Sequence, residues 1–205
     1  RTWLLEQLQA IDGLEVAEEP FREDGIDGVN LIATLKGHDR SLEPVLVSAH
    51  YDSIAAFEDG WDPAVTPAPG ADDDASGCAA VLELARLLAD EPGFERDIEL
   101  VFFDAEEAGL LGSQAHVRAR TRGVHWMVSI DSIGSNPAEG WLFLVTGPGA
   151  EPMEALLKEQ LELQTSTALT TLQSVSSELI EPRSDHGPFL VAGLPASHLG
   201  QFPLP

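Results

Sequence analysis

Five side chains able to bind cations or move protons fall in a fixed order along the chain: His50, Asp73, Glu106, Glu107 and Asp131. Each closes an apolar stretch or lies in the turn just after one. His50 and Asp52 follow Pro44-Val45-Leu46-Val47-Ser48-Ala49, and Asp73 sits in Pro69-Gly70-Ala71-Asp72-Asp73-Asp74-Ala75-Ser76-Gly77. Glu106 and Glu107 follow Ile98-Glu99-Leu100-Val101-Phe102-Phe103-Asp104-Ala105, and Asp131 follows Met127-Val128-Ser129-Ile130. A parallel α/β sheet presents the carboxyl ends of its strands along one edge, so these groups converge in one crevice. Carboxylates gathered there repel one another unless cations neutralise them. The residues therefore point to a metal site, and metal-assisted hydrolysis is the chemistry such a site performs.

Taken singly, each motif also has an ordinary structural reading. A lone His after an apolar strand is commonly structural, but Asp52 lies two residues on, placed to fix the ring's tautomer as carboxylates do for metal-bound His. Asp72-Asp73-Asp74 would suit a helix cap answering the helix dipole. The flanking Gly70 and Gly77 imply a tighter backbone than a cap needs, and an Asp held there can bridge two cations. Adjacent glutamates usually form solvated surface, yet Glu106-Glu107 comes directly after a buried run. Neighbours in extended chain point opposite ways, so one can bind metal while the other faces substrate as a base. Asp131 then gives a terminal carboxylate to the metal held by His50. An oxygen-rich donor set with few His and no thiolate fits a two-metal hydrolytic centre, typically Zn²⁺, with Co²⁺ or Mn²⁺ as alternatives.

The elements that must position these groups follow from periodicity. Trp3-Leu4-Leu5-Leu8-Ile11 has the spacing of an amphipathic helix ending near Gly13. Leu14–Glu18 and Val29–Leu35 are expected as an antiparallel edge pair of strands. Val45–Ala49, almost wholly apolar, reads as a buried central strand. Residues 54 to 70 form a long connection rich in Gly and Pro, a kind usually functional. Ser76 is the expected N-cap of a helix over Cys78–Ala89. Strand Ile98–Phe103, a helix near Ser113–Arg120, strands Val124–Ile130 and Trp141–Val145, a helix over Pro152–Leu163 and a last strand near Pro195–Leu199 complete the pattern. Alternating strands and helices predict an α/β fold, three-layer α/β/α with a mixed, mostly parallel central sheet. No repeat or domain boundary interrupts residues 1–205, which read as a single domain trimmed at both ends.

Composition narrows the partners. With 35 acidic and 11 basic residues the formal charge is −24, which repels phosphate backbones and anionic lipids and so argues against nucleic acid and membrane partners. No apolar run approaches the about 18–20 residues of a membrane span. Cys78 is the single cysteine, so no intrachain disulfide forms, and its place after Gly77 suits a small core residue.

Five stretches carry a resemblance to a known family. Ala49-His50-Tyr51-Asp52-Ser53, the run Pro69 to Gly77, Phe103-Asp104-Ala105-Glu106-Glu107-Ala108-Gly109-Leu110-Leu111-Gly112-Ser113, Ile130-Asp131 and Ser184-Asp185-His186 resemble the co-catalytic zinc aminopeptidases of peptidase family M28, of the bacterial leucyl aminopeptidase type. The resemblance implies removal of N-terminal amino acids from peptides with a free N-terminus. It implies two Zn²⁺ bridged by Asp73, with a cis peptide between Asp73 and Asp74. His50 and Asp131 would complete one site and Glu107 the other. Glu106 would be the general base, Asp52 would orient His50, and Phe189 would wall the substrate pocket. Ser184-Asp185-His186 would support the site without ligating. The family is often exported, so a secreted or periplasmic location fits, although no signal peptide is visible.

One departure stands out. The resemblance implies a second His ligand in the loop after the last strand, whereas here that region reads Pro195-Ala196-Ser197-His198-Leu199-Gly200-Gln201-Phe202-Pro203-Leu204-Pro205. His198 falls inside the expected strand, too early for the role, so the second metal site is expected to be weak and one Zn²⁺ is an alternative to two. Two other functions remain open at this point: a glutaminyl cyclase-like enzyme with one zinc, and a non-catalytic or truncated domain of the same fold.

Overall fold

The computed structural model describes residues 1–55, 60–62, 64–91, 93–134, 141–163, 171–176 and 183–201. Among the described residues thirteen elements follow in chain order: α1 (Thr2–Gln9), β1 (Glu15–Glu23), β2 (Ile26–Leu35), β3 (Val45–His50), α2 (Ala75–Ala89), β4 (Ile98–Phe103), α3 (Leu111–Ala119), β5 (Trp126–Asp131), β6 (Trp141–Thr146), α4 (Glu151–Leu163), β7 (Thr171–Ser176), α5 (His186–Val191) and β8 (Ala196–Gly200). The strands form one eight-stranded sheet in the order β1-β2-β4-β3-β5-β8-β6-β7. β3 pairs in parallel with both β4 and β5, and β5 with β8. β1 and β2 form the antiparallel edge pair, β2 meets β4 antiparallel and β6 meets β8 antiparallel. The sheet is thus mixed with a parallel centre, as the alternation of elements predicts.

Alternation along the central strands divides the core between two faces. Val47, Ala49, Leu100, Phe102 and Val128 pack on one face against Leu4 and Leu8 of α1, Val81, Leu82 and Ala85 of α2, and Met153 and Leu157 of α4. Leu46, Val101, Phe103 and Met127 turn to the other face, where Val117 of α3 and Phe189 and Leu190 of α5 cover them. Helices on both faces of one sheet make three α/β/α layers. The neighbours of β3 in the sheet lie on opposite sides, β4 and then β5 in chain order, which makes the carboxyl end of β3 a topological switch point, the place where open α/β sheets bind ligands.

Several element ends differ from expectation for local reasons. α2 begins at Ala75, and its N-cap is Asp74, whose carboxylate accepts from Gly77 N at 2.8 Å. Ser76 instead donates its hydroxyl to the Asp72 carbonyl at 2.7 Å and accepts from Ile133 N at 3.0 Å. β1 and β2 run beyond the apolar stretches because a turn at Asp24 and Gly25, both with positive φ, lets the edge hairpin continue through exposed polar residues. β7 carries little apolar signal in Thr-Leu-Gln-Ser-Val-Ser and is not read from the sequence as a strand.

Candidate metal centre

The chain brings His50, Asp73 and Asp131 together from three places: the last residue of β3, the approach to α2 and the last residue of β5. One ligand atom from each lies within 4.8 Å of the others. His50 Nε2 is 3.0 Å from Asp73 Oδ1 and 3.7 Å from Asp131 Oδ1. The ring is buried, and Nε2 has no hydrogen bond of good geometry. Its other nitrogen, Nδ1, lies 3.1 Å from the Asp52 main-chain carbonyl and 3.5 Å from the Asp52 carboxylate. A carbonyl oxygen only accepts, so Nδ1 carries a proton, which leaves Nε2, facing the two carboxylates, as the nitrogen a cation can take. That is the tautomer a metal-binding imidazole needs.

Three consecutive acids do three separate jobs. Asp72 Oδ1 accepts from Gly134 N at 2.6 Å and fixes the chain after β5. Asp73 is exposed and faces His50. Asp74 is buried, and its carboxylate collects the N–H groups of His50, Gly77 and Ser132 at 3.2, 2.8 and 3.2 Å. The peptide between Asp73 and Asp74 is cis.

Glu106 and Glu107 stand on a turn that leaves β4 through Ala105, at φ 56°. Asp52 anchors this turn: its two carboxylate oxygens accept from Glu106 N at 3.0 Å and Glu107 N at 3.1 Å. The turn is closed by Gly109 N and Leu110 N donating to the Glu106 carbonyl at 2.9 and 2.7 Å, and by Leu111 N donating to Ala105 O at 3.0 Å. Glu107 Oε1 is buried without a partner.

Electrostatics mark the crevice as short of positive charge. Burial pushes the Glu106 carboxyl up, and the neighbouring Asp185 charge adds to this, to about 9. Burial and the Asp73 charge likewise raise Glu107. Burial raises Asp185 to about 7. For Asp131 burial also works upward, but the facing His50 ring together with His198 and Ser184 outweighs it and holds the carboxyl at about 2. Burial alone would lower the proton affinity of His50; its carboxylate partners Asp131, Asp52 and Asp73 overrule that and raise it. A buried imidazole nitrogen facing two carboxylates is a donor set that a divalent cation satisfies, and Glu107 lies outside that three-residue cluster.

Other expectations meet the structure as follows. Ser184, Asp185 and His186 are buried at the start of α5. His198 lies inside β8, its ring 5.2 Å from that of His186. The loop beyond Gln201, where a second His ligand is looked for, lies outside the described residues. Phe189 is not a wall of an open pocket. Its side chain has no exposed surface and packs against Phe103 and His116, with ring centroids 6.4 and 6.2 Å away. Sequence reading also missed the clamps around the site, Asp74 and Asn30 among them. Asp74 was visible as part of an acidic run, whereas Asn30 gave no signal at all.

The family model described as peptidase family M28 matches residues 30–204. Leucine aminopeptidase 1 of Coccidioides posadasii is 39% identical over 124 residues, which is 56% of this chain but only 30% of that relative's length. A zinc aminopeptidase from Bacillus subtilis superposes with a TM-score of 0.66 at 26% identity, covering 86% of this chain and 40% of that one. Porphyromonas gingivalis glutaminyl cyclase superposes with a TM-score of 0.73 at 22% identity, over 98% of this chain and 74% of that one, a likeness of fold.

Proposed function

The chain belongs to peptidase family M28, and from that premise we propose that it removes N-terminal amino acids from peptides with zinc held at the His50 cluster. The observation that carries the reading is the buried His50 Nε2, unbonded and facing the Asp73 and Asp131 carboxylates. One imidazole, several carboxylates and no thiolate suit Zn²⁺. His50 and Asp131 would hold one ion and Glu107 a second, with Asp73 shared between them. When bound, the metal supplies Lewis acidity toward the scissile carbonyl and makes water acidic enough to attack near neutral pH.

The remaining work falls to the chain's own groups. Glu106 is the general base: it takes the proton of the attacking water and returns it to the leaving amine. Its backbone is fixed by Asp52, so its carboxylate need not search for the reacting atoms. Burial gives it a high proton affinity, which favours taking the proton; positive charge in the site brings that affinity down toward the working range. The surrounding carboxylates attract the ammonium end of a peptide, which suits cleavage at the first residue.

The test uses the zinc-loaded chain and aminoacyl chromogenic substrates, beside a glutaminyl peptide. Release of the first amino acid supports the reading. E106Q should keep its bound zinc and lose about 10²–10⁴ of the turnover; an E106Q rate near that of the parent removes Glu106 from the role. Ammonia release from the glutaminyl peptide in place of amino-acid release points to a cyclase, the activity named for one structural neighbour. Zinc binding with no turnover on either substrate points to a binding domain.

A further inference from the structure

The antiparallel ladder between β2 and β4 stops at Leu31↔Phe102, one step short of the turn that carries Glu106 and Glu107. Beyond that step the strands diverge, and side chains replace the missing rungs. Asp104 Oδ2 accepts from Val29 N at 3.0 Å. Asn30 Oδ1 accepts from Asp104 N at 3.1 Å, while Asn30 Nδ2 donates to Gly112 O at 2.9 Å and to Glu19 Oε2 at 3.0 Å. Asp104 and Gly112 are the two ends of the Glu106–Glu107 turn, and they also bond directly, Gly112 N to Asp104 O at 3.1 Å. A single carboxamide therefore clasps both ends. Asn30 has no exposed surface, so water cannot stand in for it. The fit is close: a Cβ at Gly112 would press on both the Asp104 carbonyl and Asn30 Oδ1.

We propose that Asn30 is a positioning residue for the 104–112 turn, setting where Glu106 and Glu107 stand without touching substrate or metal. The assignment rests on the peptidase reading for its kinetic consequence and on geometry alone for its structural one. A buried side chain that only filled space would not need to bond both ends of the turn. Asn30 shares this task with Asp52, which holds the middle of the turn through Glu106 N and Glu107 N. The two clamps reach the turn from different strands, so neither can substitute for the other.

The experiment compares N30A with L8A, a core truncation in α1, an element that bonds to neither end of the 104–112 turn, chosen to lower the melting temperature to a similar degree. Hydrogen exchange is followed in the peptide covering 104–112, and kcat and KM are measured on the zinc-loaded proteins. N30A should speed exchange across the turn and cut kcat about 10- to 100-fold with KM held, the scale of a catalytic group displaced by roughly 1 Å. L8A should do neither. If N30A and L8A match in both exchange and kcat, the assignment is overturned. If N30A does not fold, N30D keeps an oxygen for Asp104 N–H and removes the donor to Gly112 O and Glu19 Oε2; unchanged exchange across 104–112 overturns the assignment equally. A parent chain that binds zinc and cleaves nothing refutes the peptidase reading, and the exchange comparison still decides on Asn30.

Discussion

Replacing Asp52 with Asn separates two jobs that the residue performs through different atoms. The His50 ring is tethered by the Asp52 main-chain carbonyl at 3.1 Å, which survives any substitution. The Glu106–Glu107 turn is tethered by the carboxylate, one oxygen to each N–H. In D52N one of those oxygens becomes an NH₂ that confronts a main-chain N–H, leaving that donor unpaired. A buried unpaired donor costs about 1–3 kcal/mol. With 20% of the Asp52 side chain exposed, water offsets part of this, and we expect about 1–2 kcal/mol. At about 2–4 °C per kcal/mol for a chain of this size, the metal-free protein should melt about 2–8 °C lower. D52A, which frees both donors, should lose roughly twice that. Zinc affinity should fall by less than about tenfold, whereas loss of a true imidazole-orienting partner costs about 10- to 100-fold. Circular-dichroism melts in chelator and competition titration against a zinc dye measure the two effects. An unchanged melt together with zinc binding weakened tenfold or more would refute the reasoning, because the carboxylate would then serve the ring.

Two further outcomes are expected. Asp97 is buried and accepts from Gly37 N and Arg122 Nη1, both at 2.9 Å; burial works to raise its pKa, but these partners together with the Lys36 and Arg40 charges outweigh it and hold the carboxyl below its ordinary value. A carboxyl lowered by folding contributes stability above its unfolded pKa of about 3.9 and loses it as pH falls through the folded value. D97N should therefore cost about 1–3 kcal/mol at pH 7 and show a smaller further loss than the parent between pH 5 and pH 3, read from urea midpoints; equal losses would assign the acid sensitivity elsewhere. Zinc at a hundredfold excess over its dissociation constant should add about 2.7 kcal/mol, a rise in melting temperature that a chelator reverses and that H50A abolishes.

Much of this arrangement was legible because its signals are chemical and local. Buried apolar runs end in His50, Phe103 and Asp131, and parallel strands bring such ends to one edge whatever the details of the loops. The edge hairpin was legible in kind but short in extent, since Glu15–Glu23 is mostly exposed and carries its pairing in backbone bonds that leave no apolar trace. Phe189 misled for the opposite reason: an aromatic close to the site in sequence looks like a pocket wall, yet the second face of the sheet had Phe103 to cover. Ser76 and Asp74 both suit a helix start, and only the three N–H groups converging on one carboxylate decide between them. Asn30 could not be found by pattern. A polar residue in an alternating strand reads as facing water, and nothing near it in the chain reveals that it clasps residues 104 and 112.

The Asp74 carboxylate has a consequence for how the molecule opens. It ties the last amide of β3, the first turn of α2 and the residue after β5 to one another, segments 24 and 58 positions apart by their bonds to it. Ends of elements ordinarily fray singly, each at a free energy well below that of global unfolding. Here none of the three can lift away without breaking a bond that also steadies the others. The segments that carry His50, Asp73 and Asp131 are thus expected to open together, as one unit, rather than one at a time. Slow, concerted exchange of the His50, Gly77 and Ser132 amides is the signature of such a unit.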